Sequence, residues 1–599
     1  MKSKILQKLS RRRFKVLIVL SIFAFLSYSL LESLKSSDWI TNGEESFSVI
    51  PPKQPFNEQQ QSTPQTGSGI NDDKGKITKS TSEFPLNSAH KFWKQIFTIF
   101  DGNKMNLEDH FGPLIEYTDK SKHSGTVTTK ETLLSRANMR EEVVSELKKR
   151  HEQVVSQLPA HMPEATYNKG TTGVVFIGGA KFSWLTYLAI MALRETGTKL
   201  PVEVIMPTKQ DYKNEQEFCD SLLPALNARC VIVPDAIGES ALNGRKLLTY
   251  QFKSIALAIT SFQNILLLDA DNMIVSNPDH VFDSELYKKY GLITWPDFWE
   301  RTIYPTYYDI AGVHVNERKR VRYDRFPLFE PANSKGALSV GPDDAVPYHD
   351  LEGTVPNLST ESGQLIINKA THGKTILLSL YYNIYGPDVF YKLFSLGEQG
   401  EGDKDTFVTA AVVCNEPHYQ VKSYVRSEGY HDEQNNFHGV AMVQRDPVSD
   451  YNVFKEVVSN SFAKSSKTMS VQDQIKHLTA LSKNEFGSDN NMTPFAFHCN
   501  YPKLDPVLYM KRDDIYDPVE KKLKYKLYQG LKYDKTIFSS SKEKTVETDF
   551  EFEQWLHIQD ALCIQKLKFE HFKDSNMQDL CEFVNNQVKW LSPSEQANT

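Results

Sequence analysis

The chain has 599 residues, 40% of them hydrophobic and 24% charged, with a formal net charge of −6. That composition is globular, and its negative balance offers no basic face for a nucleic-acid partner. The charge is also uneven: Lys2, Lys4, Lys8, Arg11, Arg12, Arg13 and Lys15 precede any acid, and removing them leaves about −13 for the rest.

Residues 1–15 predict a basic cytoplasmic tail and residues 16–31, uncharged and rich in Leu, Ile, Val and Phe, a transmembrane signal anchor. Sixteen helical residues span about 24 Å, workable in a thin early-secretory bilayer. The basic flank stays cytoplasmic, so the reading is a single-pass type II membrane protein with a lumenal body. A cleaved signal peptide is the competing reading, with Ser27-Tyr28-Ser29 as a small-x-small site. Residues 32–88 hold Pro51-Pro52, Gln59-Gln60-Gln61 and Gly67-Ser68-Gly69 without apolar periodicity. Such a stretch buries too little surface to offset its ordering entropy and reads as a flexible stem.

Residues 89–599 are expected to form the lumenal catalytic domain. Residues 173–179 read as a first strand closing on two glycines, and 182–196 as a helix ended by Gly197. Strands follow at 202–206 and 230–233, then a helix at 246–262. Strands alternating with helices predict an α/β fold with a central, mostly parallel sheet. A Gly-x-Gly-x-x-Gly fingerprint is absent, which argues against a dinucleotide enzyme.

The apolar run from Ile265 to Leu268 stops on Asp269-Ala270-Asp271. Acids at the carboxyl end of a buried strand lie where open α/β sheets place ligands. Paired carboxylates suit a hard divalent cation, which grips phosphate oxygens, so the pattern points to a nucleotide-sugar transferase. Cys219, Cys230, Cys414, Cys499, Cys563 and Cys581 face an oxidising lumen, where some should be bridged, in pairings that spacing does not choose. Asn357-Leu358-Ser359 and Asn491-Met492-Thr493 are glycosylation sequons, the second weakened by Pro494. The basic run 318–322 reads most simply as a solvated loop.

Several strings are familiar: Leu267-Leu268-Asp269-Ala270-Asp271-Asn272, the segment 291–302 containing Trp295-Pro296-Asp297-Phe298-Trp299, Glu361-Ser362-Gly363-Gln364-Leu365, and Lys404-Asp405-Thr406-Phe407. Together they resemble the fungal Golgi α-mannosyltransferases of glycosyltransferase family 71. More narrowly, they resemble the α-1,2 branch that starts side branches on N-linked mannan. The resemblance implies a GT-A type fold, GDP-mannose as donor, Mn²⁺ as cofactor, a mannan or N-glycan acceptor, a Golgi membrane location and a complex with other Golgi mannosyltransferases. Two features depart from the pattern: Gly402-Asp403 before Lys404-Asp405, and the stretch 313–351.

The residue roles expected on this basis begin with the metal. Asp271 is its direct ligand, Asp269 touches ribose or a metal-bound water as well as the metal, and His498, at the end of a short apolar strand, completes the site. Lys503, Lys253 and Arg245 are expected on the donor phosphates. Asp297, Trp295, Trp299 and Tyr307 are expected at the acceptor, because sugars stack on aromatic rings and bind carboxylates; one of the tryptophans should be structural. Gln364 would donate to a sugar hydroxyl. Retention at the anomeric carbon needs either a carboxylate nucleophile or a front-face exchange, and Asp405 is the candidate carboxylate, with helix N-capping as its alternative. The rival classes are an α-1,3 or UDP-sugar enzyme of the same fold and a non-catalytic mannan-binding scaffold.

Overall fold

The computed structural model describes residues 86–106, 110, 112–118, 127–398, 400–539 and 542–593. The expected tail, the anchor at 16–31 and the stem as far as residue 85 lie outside them. The stem's last three positions, 86–88, open a helix. Among the described residues no helix is long and apolar enough to cross a membrane.

The main elements begin with helices α1 (Leu86–Gly102) and α2 (Glu141–Gln157). There follow β1 (Asn168–Ile177), α3 (Lys181–Glu195), β2 (Val202–Met206), β3 (Ala228–Ile232) and α4 (Gln251–Ile259). Next come β4 (Phe262–Leu268), β5 (Asn272–Ile274), β6 (Leu292–Pro296), α5 (Pro305–Ala311) and β7 (Thr360–Asn368). The chain continues through α6 (Gly373–Ile384), α7 (Thr406–Cys414), β8 (Tyr419–Gln420), β9 (Arg426–His431) and β10 (Phe437–Arg445). It closes with β11 (Pro494–His498), α8 (Phe550–Gln559) and α9 (Met577–Leu591).

Seven strands form the central sheet in the order β8-β6-β7-β4-β1-β2-β3. Its pairs are parallel except where β7 runs antiparallel between β4 and β6, so the sheet is mixed and mostly parallel. A second, antiparallel sheet runs β9-β10-β11-β5. Because β5 begins just beyond the end of β4, the Asp269–Asp271 turn joins the two sheets.

Successive residues of β1 and β4 point to opposite faces, and each face has its own core. Val174, Phe176, Leu266 and Leu268 pack with α3, α8 and α9 through Trp184, Trp555 and Phe583. Val175, Ile265 and Leu267 pack with the helices carrying Phe97, Ile255, Ile376 and Phe407. The expected helix at 246–262 is shorter at both ends: Leu248 N–H is taken by the Gln251 side chain and α4 begins only at Gln251, and it stops at Ile259 because Phe262 already opens β4. Cys219 pairs with Cys230 and Cys563 with Cys581, while Cys414 and Cys499 stay as thiols.

Glu551, fully buried in the first turn of α8, accepts backbone N–H from Leu527 at 3.2 Å and Tyr528 at 2.8 Å. Burial outweighs those bonds and raises its pKa from 4.5 to about 7. Between those values the folded chain holds a proton that the unfolded chain releases, so stability falls as pH rises, and the full penalty stands above them. Glu551→Gln is therefore expected to raise the unfolding temperature at pH 8 and leave it nearly unchanged at pH 5. Equal shifts at both pH values in thermal melts would contradict this.

Candidate active site

The apolar strand β4 ends because the next side chain is charged, yet the ladder continues one step: Asp269 N–H donates to Gly363 O of β7 at 2.7 Å. The turn closes with Asn272 N–H on Asp269 O at 3.0 Å, and β5 then pairs with β11, placing His498 opposite Asn272. Strand pairing thus delivers His498 to the turn from far along the chain. Its Nε2 lies 3.5 Å from Asp271 Oδ1, and Lys503, just past the strand end, forms an ion pair with Asp271 Oδ2.

The register of β7 shifts between Glu361 and Leu365, a bulge that aims Glu361 at the same place. Glu361 Oε1 stands 3.2 Å from His498 Nδ1. A Cβ on Gly363 would sit 2.7 Å from both Glu361 Oε1 and His498 Cε1, so glycine is what lets imidazole and strand meet. Lys253, on α4, reaches Asp269 Oδ2 at 2.9 Å, Ser362 O at 3.0 Å and Asp403 Oδ2 at 3.5 Å.

Four carboxylates (Asp269, Asp271, Glu361, Asp403) therefore meet two ammonium groups and one imidazole. Asp271, Glu361 and Asp403 are buried, whereas the side chains of Asp269 and Lys503 keep 24% and 28% of their exposure and open the cluster to solvent. Burial pushes Asp271 up, but His498 and Lys503 outweigh it and hold the carboxyl well below its usual range. Asp269 is raised by burial and by Asp271, against Lys253. Asp403 is pushed up by burial to about 6, with Lys253 opposing. His498 is raised despite burial, because Glu361 and Asp271 face it.

This donor set fits a hard divalent cation. Ligand atoms of Asp269, Asp271 and His498 all lie within 4.8 Å of one another. Asn272 Oδ1 and Glu361 Oε2 are buried without a hydrogen-bond partner, so the surroundings hold two further unused oxygens. With His498 neutral, four carboxylates against two ammonium groups leave two negative charges, the complement of a divalent ion.

Other expected residues are placed differently. Asp405 is 1% exposed. Its Oδ1 accepts from Arg301 at 2.5 Å and from Thr360 N–H at 2.9 Å, and it makes no side-chain cap on α7. The capping expectation therefore does not hold, and the carboxylate expected nearest the reacting sugar is paired with Arg301. Gln364 is fully buried, and its Oε1 accepts from Asn272 Nδ2; it braces the turn from below and offers no surface to a sugar. Trp295, also fully buried, stacks on Phe495 at 5.2 Å and donates to Arg445 O, so it is core. Tyr307 is core too, bonded to the Tyr382 hydroxyl at 3.0 Å. Arg245 pairs with Asp101 and lies over the Phe97 ring instead of joining the cluster.

Asp297 lies at the rim, 3.2 Å from Lys404 Nζ and raised by burial against that lysine. Beside it Trp299 is 39% exposed. In the first sequon, Asn357 Oδ1 accepts from Arg301 N–H and Ser359 is buried on Asp405. Asn491 and Thr493 of the second are exposed. Sequence reasoning missed Glu361 and Asp403 as members of the cluster, and Arg301 as the partner that removes Asp405. The one local signal was Glu361, a charge near the start of a strand that turns apolar at Leu365.

Residues 171–446 match the mannosyltransferase family Mannosyl_trans3. The α-1,2-mannosyltransferase MNN23 of Candida albicans is 49% identical over 98% of this chain and 98% of its own. The α-1,2-mannosyltransferase MNN2 of Saccharomyces cerevisiae is 37% identical over 75% of this chain and 74% of its own. Among solved structures, the galactosyltransferase LgtC with donor and acceptor sugar analogues aligns with 42% of this chain and 74% of its own, at 12% identity and a TM-score of 0.24.

Removing one partner of a buried ion pair leaves the other charge stranded, at a cost of about 3–5 kcal/mol. Asp405→Ala is therefore expected to lower the unfolding temperature markedly while the remaining folded molecules keep their turnover. A variant that melts like the wild type but has lost all turnover would return Asp405 to the reaction.

Proposed function

The chain belongs to the fungal α-1,2-mannosyltransferase family, and from that premise we propose a retaining transfer of mannose from GDP-mannose to mannan side chains of N-linked glycoproteins. The bond formed is α-1,2, the framework is of GT-A type, and the chain works from the Golgi membrane as a single-pass type II protein. The basic tail and apolar run at 1–31 support that location, and the mixed sheet with ligands at its strand ends supports that framework. The observation that carries the chemistry is the cluster of Asp269, Asp271 and His498 with Lys253 and Lys503 beside it.

Asp269, Asp271 and His498 would hold Mn²⁺, which neutralises charge on a departing diphosphate when bound. Lys503, half-exposed at the mouth, offers its ammonium to the phosphates. Lys253 stays with Asp269, Asp403 and Ser362, where it holds the carboxylate turn in place. The acceptor enters over the Trp299 ring, with the Asp297 carboxyl taking a hydroxyl hydrogen bond. Because Asp405 is committed to Arg301, the front-face route is favoured, in which the leaving phosphate oxygen takes the acceptor's proton.

Turnover of GDP-mannose and of UDP-sugars, each with and without Mn²⁺, together with linkage analysis of the product, tests this directly. Mn²⁺-dependent use of GDP-mannose giving an α-1,2 bond is expected, and a β-linked product or preference for a UDP-sugar would refute it.

Asp271→Ala should reduce transfer by more than about 100-fold, the scale of losing one charge-stabilising group, while the fold survives. His498→Ala should raise the Mn²⁺ concentration needed for half-maximal activity more than it lowers the unfolding temperature. Unchanged metal dependence with a lowered unfolding temperature would show that His498 only packs.

A further inference from the structure

A cleft of about 750 Å³ opens beyond the rim residues, between the 297–301 segment, the loop from His349 to Leu358 and the chain from Thr479 to Ser488. Its volume is within the roughly 300–1,000 Å³ of small-molecule sites. None of the donor-side residues lines it.

Its wall is rich in acceptors. Glu300, Asp324 and Asp350 contribute carboxylates, and the buried His349 stands behind the wall. His349 is 2% exposed; Nδ1 lies 2.9 Å from Val355 O and so carries the ring proton. Nε2 is then a bare acceptor, and it has no partner. Burial, reinforced by Arg301, pulls this imidazole down to about 3, so the lone pair stays available. A buried lone pair without a donor is costly, and an O–H would satisfy it.

Charge narrows the class of ligand. Asp350 is already paired with Arg320 at 2.7 Å, and Asp324 with Arg325. Two of the three acids are thus neutralised where they stand, and Lys483 on the wall offsets the third, which removes the surplus charge a divalent cation would need. What remains suits a neutral molecule with many hydroxyls; Tyr424 also lines the cleft, with the Arg325 guanidinium over one face of its ring at 3.9 Å.

The cleft is also tied to the rim. Asp297 N–H donates to Ser359 O at 2.8 Å and Ser359 N–H to Trp299 O at 3.0 Å, clipping the two segments together. Glu300 follows Asp297 by three residues, at most about 10 Å of extended chain. The cleft therefore begins within the reach of a short linear saccharide held at Asp297.

We propose that this cleft is a second saccharide-binding site, which holds a neutral, hydroxyl-rich stretch of the acceptor some units away from the sugar that receives the new residue. That the sugar is mannose rests on the proposed function; that the ligand is a polyol does not. Exposed Thr479 lines the cleft, so Thr479→Trp fills it, and Glu300→Gln removes an acceptor without changing volume. The full-length chain is titrated with α-linked mannotetraose and mannobiose in EDTA without donor. The wild type is expected to bind the tetraose at least about tenfold tighter than the biose, a difference both variants erase. GDP-mannose hydrolysis and the unfolding temperature of Thr479→Trp should stay unchanged, while its KM for the tetraose rises. Equal tetraose binding by the wild type and both variants would overturn the proposal. So would a cleft-dependent heat on titrating manganese chloride instead of saccharide. Loss of the tetraose preference in the variants of a chain that does not turn over GDP-mannose would support the cleft and overturn the proposed function.

Discussion

Four carboxylates forced into one place are the constraint around which this molecule is arranged. Asp269, Asp271, Glu361 and Asp403 repel one another, and three of them are buried, where each charge needs a partner. The partners come from three other parts of the chain: Lys253 from a helix, His498 from the strand of a second sheet, and Lys503 from the turn after it. The β7 bulge at Glu361, the glycine at 363 and the β5–β11 pairing all serve that convergence. Even so, the oxygens Asn272 Oδ1 and Glu361 Oε2 remain buried without a donor. Unsatisfied groups of this kind cost stability, and a fold retains them where function needs them.

A second buried charge, Arg301, ties together the segments beside the cluster. It spans Asp405, Leu358 O, Pro356 O and Gln420 Oε1, joining the segments before and after β7 to the start of α7. Its own N–H holds Asn357. One planar, always charged group satisfies acceptors in several directions, which an ammonium on a flexible stem does less well. Because Asp297 and Trp299 lie on the segment just before it, their position depends on this buried side chain.

Aromatic residues divide along the same boundary. Trp295 and Tyr307 are sealed in the two cores, whereas Trp299 and Phe298 project outward. Trp295 ends up inside because it belongs to β6, an interior strand of the central sheet buried on both faces. Four residues further on the strand has ended, and the same kind of side chain reaches solvent.

The sequence by itself was enough for the patterns that are local. Apolar strands alternating with helices gave the layered α/β plan, and an apolar run ending on Asp269-Ala270-Asp271 gave a carboxylate turn at a strand end, since both depend only on neighbours in the chain. The short strand before His498 was legible in the same way. Tertiary structure alone decided which charge meets which. Asp403 and Asp405 are two residues apart and chemically identical, yet one faces Lys253 and the other Arg301. Glu361 turns toward His498 only because β7 bulges, and Gln364 turns under Asn272 only because β7 pairs with β4. Side-chain direction at such points follows strand register across more than ninety positions of chain, and a slip of one residue would reverse every one of these assignments.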